Sequence, residues 1–148
     1  MEESVKLILN SSFICFLLII IYFYYNNLIK DNVDKLASIL AIIISLIQLV
    51  SKNIKILDIS HFLFNIVYMF LVTFFSKNKY FLALNIIMLI ITLITRYIYK
   101  ICILNVKQNH KGFFASINNK LNKYVKIWDF DYIFPLLLII NIYRFIKI

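Results

Sequence analysis

The chain has 148 residues, of which 63% are hydrophobic, 17% aromatic and 16% charged, with a formal net charge of +9 and a mean hydropathy of +0.88. An ordinary soluble domain is roughly half apolar, and the excess here falls in long charge-free runs that a small core cannot hide. A soluble globular domain is therefore excluded, and the composition predicts an all-α, multi-pass membrane protein.

In chain order the charge-free runs are 7–29, 36–51, 59–76, 80–95 and 132–143. Crossing a hydrocarbon layer of roughly 30 Å takes about 20 helical residues. The first and third runs meet that length directly. The second reaches it if Lys35 and Lys52 float their ammonium groups to the interfaces, and the fourth extends to Tyr99 if Arg96 does the same. Four antiparallel spans follow, at about 7–29, 36–51, 59–76 and 80–99, within a bundle covering 1–104. The fifth run covers only about 18 Å as a helix. It is either an extra span that relies on bilayer thinning and a snorkelling Arg144, or an interfacial or re-entrant segment within 132–148.

Lys and Arg fall unequally on the two sides of such a bundle. Ten (Lys6, Lys52, Lys55, Arg96, Lys100, Lys107, Lys111, Lys120, Lys123 and Lys126) lie on the amino-terminal side, against Lys30, Lys35, Lys77 and Lys79 opposite. This bias predicts a cytoplasmic amino terminus and mildly favours four spans over five. It also accounts for the net charge, which is dispersed over helix ends with no dedicated face for phosphates, so no nucleic-acid partner is expected. The first run is too long for a cleaved leader and reads as a retained anchor.

The connection 105–131 turns at His110, Lys111 and Gly112. Beyond the turn, Phe114, Ile117, Leu121 and Trp128 recur at helical spacing, with Lys120, Lys123 and Lys126 on the remaining surface. A basic amphipathic helix over about 113–128, lying on the cytoplasmic leaflet with Trp128 at the interface, is predicted. Arg96 and Arg144 are expected to anchor helix ends at the same kind of boundary.

Within the spans, the polar residues cluster on faces. These are Ser11, Cys15 and Tyr22 in the first; Ser38, Ala41, Ser45 and Gln48 in the second; His61, Asn65 and Tyr68 in the third; and Asn85, Thr92 and Thr95 in the fourth. All four faces are expected to point inward, where small and hydrogen-bonding residues join helices. The same stripe, with Gln48, Asn65 and Asn85 near its middle, is also what a polar pathway would use. No Asp or Glu lies inside the four runs as bounded above, which argues against a proton relay or buried cation ligand.

Two small clusters bear on enzymatic chemistry. Asp58, His61 and Asn65 share a helix face, which is part of a metal or general-base set, although the plainer reading makes Asp58 or Ser60 a helix cap with His61 at the wet interface. Asp129 and Asp131 pair two carboxylates, although Asp131 as a cap, with Pro135 in the first helical turn, is again plainer. Cys15 and Cys102 are too few for a disulfide framework. No cofactor motif is present, so a non-catalytic protein is expected, with lipid, other membrane subunits or further copies of itself as partners. The abundance of Ile, Asn, Lys, Phe and Tyr, beside one Gly and one Pro, is the composition of an AT-rich coding sequence.

Overall fold

The computed structural model describes residues 2–99 and 130–148. Among these residues the chain forms five helices: α1 (Glu2–Tyr25), α2 (Asn32–Val50), α3 (Ile54–Phe75), α4 (Lys79–Tyr99) and α5 (Phe130–Lys147). The first four are long and apolar enough to cross a membrane. The amphipathic segment expected over 113–128, with Trp128, Lys120, Lys123 and Lys126, lies outside the described residues, as do Cys102 and Asp129.

Short polar connections with local caps set the helix boundaries. Asn27 takes a positive φ of 53° just beyond α1, a conformation that asparagine tolerates better than most residues. Asp31 caps α2 by accepting from the Asn32 amide, and Asn53 caps α3 by accepting from the Lys55 amide at 3.0 Å. Asn78 likewise accepts from the Tyr80 amide at 3.0 Å where α4 begins. The Asn78 side chain also donates to the Leu28 carbonyl at 2.7 Å, tying the α1–α2 and α3–α4 connections together at one end of the bundle. That end is called the connection end below, and the other the amino-terminal end.

These caps move two helix starts upstream of where the charge-free runs begin. The α2 helix starts at Asn32 and α3 at Ile54, so Asp34 and Asp58 lie inside helices. Both are buried, at 2% and 3% exposure. The expectation that the helices hold no interior acid is thereby corrected. A run-based boundary stops at a charge, whereas a helix stops only where its backbone loses partners or its cap residue intervenes.

The core is largely aromatic. Leu9, Phe13, Phe16, Ile20 and Phe23 recur every three or four residues along α1 and are all buried. Phe13 and Phe16 meet Phe64 of α3 edge-on at 5.8 and 6.1 Å, and Phe16 meets Tyr68 at 5.3 Å and 88°. Edge-to-face pairs of this kind add about 1 kcal/mol beyond simple burial. At the connection end Phe23 closes on Phe81 of α4 at 5.5 Å. The Ser11, Cys15 and Tyr22 face of α1, expected to point inward, is exposed instead. Two stripes of the same period compete for the interior on this helix, and the large rings fill volume that a hydroxyl and a thiol cannot.

The middle of α3, Leu63–Tyr68, is π-helical. The Met69 amide consequently reaches back to the Phe64 carbonyl, five residues away.

The C-terminal helix is longer than its charge-free run suggests. Eighteen residues, about 27 Å at helical rise, pack antiparallel along α4, with Asn141 opposite Asn85 and Lys79 over the Phe145 ring. It begins at Phe130, so Asp131 follows the first helical residue, and Pro135 lies inside the helix beyond the first turn.

Candidate functional site

Most hydroxyls inside the bundle satisfy themselves on their own helix. Ser38, Ser45, Thr73 and Thr92 each donate to the carbonyl four residues back, at 2.6–2.8 Å. Thr95 shares its proton between the carbonyls of Ile91 and Thr92. Such back-bonding leaves a helix apolar in effect while keeping every donor paired. Ser45, Thr92 and Thr95 are therefore buried but local. Of the polar face read from the sequence, Gln48 and Asn85 donate hydrogen bonds to side chains of another helix.

Asn85 belongs to a network that joins three helices. Its Nδ2 donates to Thr73 Oγ1 on α3 at 3.1 Å and to Asn141 Oδ1 on α5 at 3.2 Å. Asn141 Nδ2 in turn donates to Thr73 Oγ1 at 2.7 Å and to the Leu137 carbonyl at 2.8 Å. Thr73 thus accepts two amide protons while giving its own to Met69, and all three side chains are buried. One helical turn further along α5, the Arg144 guanidinium donates to the carbonyls of Thr73 and Ser76, the latter at 2.7 Å. It caps the carboxyl end of α3, where unpaired carbonyls and the helix dipole favour a cation. Arg144, expected at the lipid boundary, binds a neighbouring helix, because carbonyls at a helix end offer a guanidinium several acceptors in one place.

Ser76 extends the network to α2. Its carbonyl accepts from Arg144, and its hydroxyl donates to Asp34 Oδ1 at 2.7 Å. A buried acid and a half-buried base are thus joined through one serine at the connection end. Hydrogen bonding of this kind offsets part of the desolvation cost of the carboxylate.

At the amino-terminal end the interior polar groups include Gln48 of α2 with Ser60, His61 and Asp58 of α3. Gln48 Nε2 donates to Ser60 Oγ at 2.9 Å. Ser60 is fully buried and His61 is 7% exposed. Neither Asp58 nor Ser60 is a cap, since Asn53 holds that role, and His61 is not at a wet surface. All three lie on the buried face of α3, which carries them inward from a start five residues earlier than the charge-free run. Among the described residues no group of three His, Cys, Asp or Glu side chains is placed to hold a metal ion.

Between these two clusters, the π-helical turn carries Asn65 and Tyr68. Both are buried, and Asn65 Oδ1 and Tyr68 Oη have no hydrogen-bond partner. Tyr68 is enclosed by Phe16 and by Phe64, whose ring it stacks on at 5.7 Å. Arg96, in the last turn of α4, is half-buried.

Sequence reasoning missed Thr73, Ser76, Asp34 and Asn141. Asn141 had a usable signal: like Asn85, it is a lone amide within an apolar run. The other three become visible only once the helices are assembled. Comparison with known proteins returns no matching family, no matching characterised protein and no matching solved structure.

Proposed function

We propose that this protein is a non-catalytic, multi-pass integral membrane component that acts by packing, either as a structural element of its membrane or as an accessory subunit of a larger complex. The observation that carries the reading is the outer surface. Large apolar side chains are exposed on every one of the four long helices, among them Leu18 and Ile21, Ile43 and Leu46, Phe74 and Phe75, and Ile90 and Ile94. Lipid or partner helices must cover them. The polar interior supports the same reading, because Thr73, Asn85 and Asn141 bond to one another across helices, which is the use expected of interhelical contacts in a bilayer. The Lys and Arg distribution favours a cytoplasmic amino terminus.

Gentle detergent extraction from the native source, followed by native mass analysis, tests this. A stoichiometric complex with other membrane chains is the expected result. A chain recovered alone, with no crosslink to another subunit in the native membrane, would refute the subunit form.

One observation favours a second reading, a small transport protein. Asp34 and Asp58 place a buried acid near each end of the bundle, with His61, Asn65 and Asn85 between them. Intramembrane acids commonly mark ion pathways. This reading predicts ion flux in liposomes that falls in Asp34→Asn and in Asp58→Asn, and flux indifferent to both would dispose of it.

A further inference from the structure

We infer that the crevice between α1 and α4 is a binding site for one acyl chain of a bilayer lipid. The inference rests on the membrane reading above and adds a ligand to it. The two helices meet at the connection end, where Phe23 packs against Tyr80 and Phe81 at 5.7 and 5.5 Å. Towards the amino-terminal end they part, leaving a crevice of about 370 Å³. Its walls run from Leu7 to Ile19 on α1 and from Leu84 to Ile91 on α4, with Phe16 among the lining residues. Phe16 is held in place edge-on by Phe64 and Tyr68.

The crevice exists because of which side chains α1 turns to each side. Its rings are committed to the core, so the flank facing α4 carries Ser11, Ser12 and Cys15, all too short to close the gap.

Size and depth select the occupant. Leu7 to Ile19 spans about 18 Å at helical rise, close to the roughly 15 Å of a single hydrocarbon leaflet. Spread over that length, the volume corresponds to a section of roughly 20 Å², against about 80 Å² for a helix only 10 Å wide. One extended hydrocarbon chain fills a section of that size, whereas a helix from a partner or a second copy would rest on the rims of the crevice without filling it. The walls agree with this, since the α4 side offers only Leu84, Ile87, Met88 and Ile91.

The test uses the full chain in phosphatidylcholine nanodiscs doped with a phosphatidylcholine that carries a photoreactive diazirine on one acyl chain, with the labelled residues mapped by mass spectrometry. Labelling of Ser12, Cys15 and Ile87 is expected to exceed that of the outward Leu18 and Ile21 several-fold. Filling the crevice with Ser12→Phe and Cys15→Phe is expected to cut the crevice label several-fold and to leave the outer-face label unchanged. The smaller Ser12→Leu, which adds volume without a ring, is expected to produce a partial loss if the double variant fails to fold. Crevice labelling no stronger than the outer face would overturn the site. So would efficient copy-to-copy crosslinking through Cys15 in a Cys102→Ser background, or crosslinks from Cys15 into residues 100–129. No label anywhere on the chain would instead refute the membrane reading.

Discussion

The connection-end half of the interior and the π-helical middle of α3 hold helices together in opposite ways. Around Thr73, polar atoms are the adhesive: two amides, a hydroxyl and a guanidinium link α3, α4 and α5, although Asn85 Oδ1 itself has no partner, and Ser76 carries the network on to Asp34 of α2. Around Tyr68 the adhesive is ring volume. Phe13, Phe16 and Phe64 close on one another while Asn65 Oδ1 and Tyr68 Oη go unpartnered. Burial of a polar residue is thus no measure of its contribution. What matters is whether the neighbouring helix returns a partner, because an orphaned group costs what a paired one does not.

The contrast breaks most visibly at Phe16. Truncation by Phe16→Ala removes the ring shared by Phe13, Phe64 and Tyr68 and is expected to cost about 3–5 kcal/mol. Reversible unfolding in mixed micelles would read it, and a loss below about 1 kcal/mol would mean that the site collapses to fill its own cavity. At the other region, Arg144→Leu keeps the apolar stem but strips the cap from the carboxyl end of α3. A loss of about 2–3 kcal/mol is expected, since bonds to a charged donor exceed neutral ones. Hydrogen exchange at residues 73–76 should localise it, and unchanged protection there would show that the cap is not needed. The smallest effect belongs to Tyr68→Phe. Deleting an unpartnered buried hydroxyl is expected to leave stability within about 0.5 kcal/mol of the parent or to raise it. A clear loss in the same unfolding assay would reveal a partner for Tyr68 Oη, such as a buried water.

The same contrast explains what could be read before assembly. The four long helices are visible in the sequence because apolar run length is a local property, and Ser45, Gln48, Asn85 and Thr92 are visible as buried because their spacing places them on one face. The α1 face was misread because Ser11 and Cys15 share their period with Phe13, Phe16 and Phe23 around the same helix. Spacing alone does not weigh a hydroxyl against a ring. Asp34 and Asp58 were excluded from the helices by a rule that stops at charges, although Asp31 and Asn53 are the residues that end the backbone's need for partners. The meeting of Thr73 with Asn141, 68 residues apart, is fixed by how α3 and α5 assemble and leaves no trace in either local pattern.

The account turns on interior amides acting as interhelical joints, and a double-mutant cycle on Asn85→Leu and Asn141→Leu addresses this directly. Asn85→Leu orphans Asn141 Oδ1, Asn141→Leu removes one acceptor from Asn85 and one of the two amide donors from Thr73, and each is expected to cost about 1–2 kcal/mol. The double variant should cost less than the sum, giving a coupling of about 1 kcal/mol. Strictly additive losses would contradict the account, because they would mean that the two amides, 3.2 Å apart, are buried side by side without holding α4 to α5.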